Sequence, residues 1–328
     1  MTTLLEKEES CLVCGHTSEF VTITSTSSFG SPDLDFRPPD LARSTMRFWV
    51  QRCPRCGYCA PHVSNGSEQA REIVSSESYM RQLQDAGYPS PANSFLCCAI
   101  IRKRTGHYVE AARIALCAAW VCDDDAPSLA AGCRRRAIDL LRTAQEHGSV
   151  ASEDTDGHEA ILADLLRRTG QFVEAMALCN NRLRRGVPSP LRNLFRYQRE
   201  LAARQDSACH TTGHAEEFIR TTTYGTLNRL VELNRGDGSW NLNKTLAAIL
   251  GRSLSDLEAP IKELHGNGWQ IRRAWATGLA LNYLETHQGD HRDEWELLAA
   301  KADTWLQACG VQTPNGDAWR AAAARFLA

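Results

Sequence analysis

Two cysteine pairs constrain this chain more than anything else in it. Cys11 and Cys14 stand in Cys-Leu-Val-Cys-Gly, and Cys53 and Cys56 in Cys-Pro-Arg-Cys-Gly. A two-residue gap lets both sulfurs of a pair face one ion, and the glycine that follows (Gly15, Gly57) permits the left-handed turn that points backbone N–H groups at sulfur. Any fold must bring residues 11–14 to residues 53–56, about 40 residues further on. Four thiolates then close a tetrahedral shell, the arrangement zinc takes at structural sites. The expectation is one structural Zn2+ per chain on Cys11, Cys14, Cys53 and Cys56, with no coordination position left for catalysis. Cys59 and His62 compete on spacing, through Cys56-x2-Cys59 and Cys59-x2-His62. Pro54 and Gly57 give the turn its shape and favour Cys53 and Cys56.

The residues around these pairs read as short strands. Val21 and Ile23 alternate with threonine, and Met46, Phe48 and Val50 alternate with Arg47, Trp49 and Gln51. That is the period-two pattern of half-buried strands. Phe29-Gly30-Ser31-Pro32 and Arg37-Pro38-Pro39 exclude regular structure between them. Residues 1–65 are therefore expected to form a small β zinc ribbon that needs its metal to be stable.

The remainder is expected to be helical. At 328 residues the chain is long enough for two or three domains. Residues 66–205 carry an internal repeat. Arg104-Thr-Gly-His-Tyr-Val-Glu-Ala111 recurs 64 residues later as Arg168-Thr-Gly-Gln-Phe-Val-Glu-Ala175. Each copy reads as a helix end, a glycine break and a second helix, which makes a tetratricopeptide-like unit. The offset leaves room for one degenerate unit around Ala126–His147, with Asp123-Asp124-Asp125 as its loop and N-cap and Pro127 in its first turn. Residues 206–215 are small and polar and read as a linker. Residues 216–328 hold six of the eight tryptophans and read as a separate helical domain. Within it Ile219, Leu227, Leu230 and Val231 share a helical face. Ser255 and Glu258 have capping-box spacing for a helix ending near Gly266, and residues 269–285 read as a buried central helix. The fold class is mainly α: a small β zinc ribbon, tetratricopeptide-like helical repeats and a C-terminal Trp-rich helical domain.

Charge and cysteine usage narrow the function. Net charge is −2, so no global field draws nucleic acid or an acidic membrane. Thirteen cysteines, an odd number, scattered through apolar stretches such as Phe95-Leu96-Cys97-Cys98, suit buried thiols in a reducing cytoplasm rather than a disulfide framework. Residues 6–9 are charged, and no signal peptide or membrane-spanning run is expected. The 32 arginines against 5 lysines point to a GC-rich bacterial genome. Clusters such as Arg134-Arg135-Arg136, Arg182/Arg184/Arg185 and Arg192/Arg196/Arg199 are accordingly read as solvated helix faces. Cys209-His210-x3-His214 has metal-like spacing, but Thr211, Thr212 and Gly213 disfavour the helix it would need, and it is read as surface. His-Glu-x-x-His, Gly-x-Ser-x-Gly and phosphate-cradling glycine motifs are all missing from the sequence. Trp240, Trp269, Trp275, Trp295 and Trp305 are expected mostly in the core, with Trp240 and Trp269 as candidate exposed anchors.

Two resemblances extend this reading. The strand before Cys53-Pro-x-Cys-Gly-Tyr58, Ala118-Ala119-Trp120 and the repeated Arg-Thr-Gly motif make the first 205 residues resemble a bacterial family of zinc-ribbon proteins with a trailing tetratricopeptide-like array. Over 216–309 the matching residues are Leu230–Leu233, Asp237-Gly238-Ser239-Trp240, Leu250-Gly251, Ser253–Leu257, Trp275–Leu281 and Asp293–Leu298. There the chain resembles the region at the end of vault-associated poly-ADP-ribose polymerases and of some von Willebrand A-domain proteins. The resemblance implies docking to a large assembly, as that region docks to the major vault protein. Neither a polymerase nor a von Willebrand A domain is recognisable, so no enzymatic role is carried over. The expected function is a non-enzymatic adaptor or scaffold with a protein partner or large protein assembly. The alternative is a zinc-ribbon nucleic-acid binder using Arg47, Trp49 and Arg52.

Overall fold

The computed structural model describes residues 2–148, 155–188, 190–262, 268–311, 313 and 318–327. The chain is mainly helical and divides into two compact units, residues 1–215 and 216–328.

In the first unit β1 (Thr2–Ser10) pairs antiparallel with β2 (Thr17–Thr26), and β3 (Gln51–Arg52) with β4 (Cys59–Ala60). β1 escaped the period-two reading because residues 3–8 are exposed on both faces, so burial leaves no alternation there. The strand expected over 46–50 is not formed. A short helix α1 (Asp40–Arg43) leads into a 3-10 turn, Met46–Phe48. Met46 enters the helical core, and the adjacent Trp49 and Val50 pack against that same core. Sequence alternation cannot reveal neighbours buried on one side.

Helices α2 (Ala70–Val74), α3 (Glu77–Leu83), α4 (Ser90–Arg104), α5 (Tyr108–Asp125), α6 (Pro127–Glu146), α7 (Thr155–Arg168), α8 (Phe172–Arg185) and α9 (Leu191–Ala203) follow, each from α2 onward packed on the next. α10 (Thr212–Thr221) comes after them.

The sequence repeat is a structural repeat. Gly106 and Gly170 both take positive φ, +83° and +80°. His107 N–H donates to Arg102 O, and Gln171 N–H to Leu166 O, the six-residue closure that ends a helix on a left-handed glycine. Thr105 and Thr169 return their hydroxyls to Ile101 O and Leu165 O. Ala111 and Ala175, both fully buried, open the next helix at the close crossing. The content of the repeat differs from expectation, however. α5 and α8 begin 64 residues apart at Tyr108 and Phe172, and α6 and α9 likewise at Pro127 and Leu191. Each copy therefore holds three helices, α4–α6 and α7–α9. The segment 126–147 is one long helix rather than a degenerate pair. Asp123–Asp125 belong to the last turn of α5, and Ala126 precedes α6 with Pro127 in its first turn.

The 29–39 loop and residues 206–212 are fastened to this array. Leu34 N–H donates to His210 O, Thr212 N–H to Pro32 O, and Asp33 pairs with Thr211 in an isolated bridge. Residues 206–215, expected as a linker, thus carry specific main-chain bonds. Asp35 is fully buried. It accepts Trp120 Nε1–H at 2.9 Å and lies 3.6 Å from Arg168 and 3.9 Å from Arg134. Arg134, expected on a solvated face, is buried and bidentate to Asp123 at 2.9 and 2.5 Å. Arg37 pairs with Asp123 and Asp124. Burial pushes the Asp123 carboxyl up, but the Arg134 hydrogen bonds and the charges of Arg134, Arg168 and Arg37 outweigh it and hold it below the usual range.

The second unit begins within α10 and continues with α11 (Thr223–Leu233), α12 (Lys244–Ile249), α13 (Leu254–Glu258), α14 (Gly268–His287), α15 (Arg292–Ala308) and α16 (Trp319–Leu327). Ile219 belongs to α10 and Leu227, Leu230 and Val231 to α11, so the single face expected for them is split at Thr222. The capping box lies two residues earlier than its spacing suggested. Ser253 Oγ accepts Asp256 N–H and Asp256 returns to Ser253 N–H, opening α13; the expected end at Gly266 lies outside the described residues. Tryptophan dominates the core, and its polar edge is satisfied. The indole N–H groups of Trp240, Trp275, Trp295 and Trp319 donate to the carbonyls of Leu230, Leu257, Gln288 and Val311 at 2.7–2.9 Å. Trp240, a candidate anchor in the sequence, is fully buried, whereas Trp269 is 57% exposed. Gly278 allows the close approach of α16, since a Cβ there would meet Trp319 O at 2.7 Å.

Asp237 joins two segments of this unit. Its carboxylate accepts Ser239 N–H at 3.1 Å and Ser239 Oγ–H at 2.7 Å and pairs with Arg273, whose guanidinium stacks on Trp269 and Trp305. Burial pushes this carboxyl up, but the Arg273 and Ser239 hydrogen bonds prevail and bring it down to about 2. A carboxylate lowered on folding stabilises above its ordinary titration range and loses that contribution as pH falls through the folded value. Asp237→Asn should therefore destabilise at pH 6, and the difference from wild type should shrink between about pH 4 and pH 2. Urea midpoints followed by tryptophan fluorescence, which reports mainly this unit, check the trend.

Candidate metal centre

Each cysteine pair forms the tip of a hairpin, Cys11–His16 between β1 and β2 and Cys53–Tyr58 between β3 and β4. The two tips repeat one backbone pattern. Cys11 N–H donates to His16 O and Gly15 N–H to Cys11 O; Cys53 N–H donates to Tyr58 O and Gly57 N–H to Cys53 O. Gly15 and Gly57 have φ of +70° and +73°, where a Cβ is disfavoured.

The tips meet. Cys11 Sγ lies 3.6 Å from Cys56 Sγ, and Cys14 Sγ 3.6 Å from Cys53 Sγ. All four sulfurs fall within 4.8 Å of one another. A Zn–S bond of about 2.3 Å gives a tetrahedral S···S edge of about 3.8 Å, so the donor set and its size fit one Zn2+. Burial pushes the Cys11 and Cys56 thiols up, whereas at Cys14 burial is outweighed by the His16 main-chain hydrogen bond and the neighbouring sulfurs, which bring the thiol down. Among the described residues this is the one cluster with metal-holding geometry.

Both rival ligands lie elsewhere. Cys59 is fully buried with its Sγ–H directed at Gly57 O, 3.3 Å away. His62 Nδ1 contacts Glu9 Oε1 at 3.0 Å. His210 binds Asp206 through Nε2 at 2.9 Å and Tyr197 OH through Nδ1 at 3.0 Å, and its ring packs edge-on to His214. The Cys209–His214 segment is therefore a brace on α9.

Residues outside the motifs brace the two tips. Arg71 of α2 donates twice to Val13 O, at 3.3 and 3.1 Å. Tyr79 of α3 donates to Gly57 O at 2.8 Å and accepts Cys59 N–H at 3.1 Å. Leu12 N–H donates to Val63 O, tying one tip to the segment after the other. The buried Glu9 carboxylate accepts Ser64 Oγ–H at 2.7 Å and also contacts His62 and Gln51. Burial pushes the Tyr58 hydroxyl up to about 12 and raises that of Tyr79 as well, so both stay neutral donors. Nothing local in the sequence marks these braces, because each joins residues far apart along the chain.

Of the residues considered for nucleic acid, Arg47 is exposed, while Trp49 and Arg52 are partly buried. Trp49 is partly buried and donates to Thr45 Oγ1, Arg52 donates to Leu83 O, and Arg47 donates to Ser44 O.

Similarity to known proteins is partial. The von Willebrand factor A domain-containing protein 5A of Rattus norvegicus is 41% identical over 78 residues, 24% of this chain and 9% of that protein. Its counterpart of the same name in Homo sapiens is 35% identical over 104 residues, 31% of this chain and 12% of that protein. The chain thus spans about a tenth of the length of these curated relatives. No family profile and no solved structure matches. No helix among the described residues is long and apolar enough to cross a membrane.

Proposed function

We propose that this chain is a non-enzymatic, zinc-containing adaptor of the bacterial cytoplasm. Its head is a zinc ribbon closed by Cys11, Cys14, Cys53 and Cys56. Its middle is a tetratricopeptide-like helical array, and residues 216–328 dock to a protein partner or a large protein assembly. One observation carries the docking assignment: the identity shared with the von Willebrand factor A domain-containing proteins over a stretch about as long as the second unit. The closed sulfur shell supports the non-enzymatic part, because a four-thiolate zinc has no vacant position at which to activate water. Trp269, exposed and stacked on Arg273, is the best-placed anchor, since Trp and Arg lead binding hot spots. Affinity purification of the full chain from its own cells, beside a Trp269→Ala chain, tests the reading. The expected result is a protein complex that forms with wild type and is depleted by the substitution. Complexes that form equally with a chain lacking 216–328 would remove the docking role.

A further inference from the structure

The two copies of the helical repeat are not equally closed. In the first, α4 and α6 each turn a stripe with i, i+3, i+4, i+7 spacing toward a cavity of about 370 Å3, which α3 and Asp85 just after it also line. On α4, its floor, the stripe is Leu96, Ala99, Ile100 and Lys103. Across the cavity Arg136 of α6 donates to Gln82 Oε1 of α3 at 2.6 Å. Leu96 and Ala99 are buried and Ile100 half-buried, while Lys103 is exposed and has no ion-pair partner among the described residues.

The same stripe 64 residues later, on α7, is Ala160, Ala163, Asp164 and Arg167, and all four are buried. Ala160 and Ala163 share a core with Cys179, Leu183 and Phe195, whereas Arg167 meets main chain. Arg167, in the position of Lys103, donates through Nη1 to Asp206 O at 2.7 Å and Ala208 O at 2.8 Å. Those residues belong to the non-helical segment that follows α9. In the first copy α6 continues as helix through the equivalent positions, and Lys103 is exposed.

We propose that the α3–α4–α6 groove binds an extended peptide segment of a partner protein, seated as residues 206–208 are seated in the second copy. Its main-chain carbonyls face Lys103, and a small apolar side chain enters beside the half-buried Ile100. The seated segment of the second copy is itself backbone, which selects a peptide over a small metabolite. Asp85 and Asp139 line the cavity beside its cations, so no one-sign field favours a phosphate backbone. The inference rests on the adaptor reading only in supposing a protein partner, and it adds a second docking surface in the first unit.

The test pans a random linear-peptide phage library against the full zinc-loaded chain. Synthetic copies of enriched peptides are then titrated by fluorescence anisotropy. Lys103→Glu should weaken binding about tenfold or more through loss of a charge-assisted hydrogen bond, and Lys103→Arg should retain it. Ile100→Glu should also weaken binding by placing a charge at the apolar floor. Both positions are accessible to solvent, so each variant should keep its metal and its melting temperature. Absence of enriched peptides, or peptides indifferent to both acidic variants, would overturn the proposal. Residues 216–328 are intact in every variant, so failure of C-terminal docking leaves this result standing on its own.

Discussion

Purified under reducing, chelator-free conditions, the chain should carry one zinc ion per molecule, and Cys56→Ser should carry none. A closed cysteine site binds zinc with an apparent free energy of about 10–16 kcal/mol in small zinc domains, comparable to or above the roughly 5–15 kcal/mol net stability of a folded domain. The hairpin tips bury Cys11, Val13, Cys53 and Tyr58 in a core shared with α2, α3 and α4, and the metal adds to that packing by tying the two tips to each other. Its loss should reach α2 and α3 through Arg71–Val13 and Tyr79–Gly57. Residues 216–328 have a separate Trp-rich core and should melt unchanged. Calorimetry before and after chelation should show one transition displaced or lost and the other retained. Cys59→Ser is the control: its sulfur is outside the four-sulfur cluster, so it should keep the zinc while losing some packing. Zinc retained by Cys56→Ser, or lost from Cys59→Ser, would place the ligand set elsewhere.

The four-cysteine cluster was legible because most of what defines it is local. A two-residue gap and a following glycine shape each tip, with Pro54 added in the second, and only their meeting is long-range. The helix–glycine–helix turn was legible for the same reason, since Thr105, Gly106 and Ala111 recur as Thr169, Gly170 and Ala175 in the same roles. The three-helix content of each copy was not, because α6 and α9 share a starting position but little sequence. Ser253 and Ser255 both stand three residues before an acid, and backbone geometry, not spacing, decides which one caps. The arginines misled most. Arg134 and Arg135 are neighbours of one type, yet Arg134 is buried against Asp123 of α5 and near Asp35 of a loop about 100 residues upstream, while Arg135 is exposed.

That loop carries the second large effect. Asp35→Ala should destabilise the first unit by about 3–5 kcal/mol, the usual cost of removing one partner from a buried ion network. Asp35, Asp123 and Asp124 face Arg37, Arg134 and Arg168, with the Asp164–Arg167 pair beside them. Removing Asp35 leaves a surplus positive charge where solvent cannot screen it and deprives the buried Trp120 N–H of its acceptor. In a unit of this size each kcal/mol shifts the melting temperature by about 2–4 °C, so a fall of roughly 6–20 °C is expected. Asp35→Asn retains a hydrogen-bond acceptor for Trp120 and removes only the charge, so its cost should be clearly smaller. Zinc content should be unchanged in both, because the loop does not enter the sulfur cluster. A double-mutant cycle with Arg168→Met isolates the charge pairing: removing the cation as well should recover part of the loss. An Asp35→Ala chain melting within about 2 °C of wild type, less than 1 kcal/mol on that scale, would mean that the loop merely rests on the array and that the buried charges are neutralised some other way.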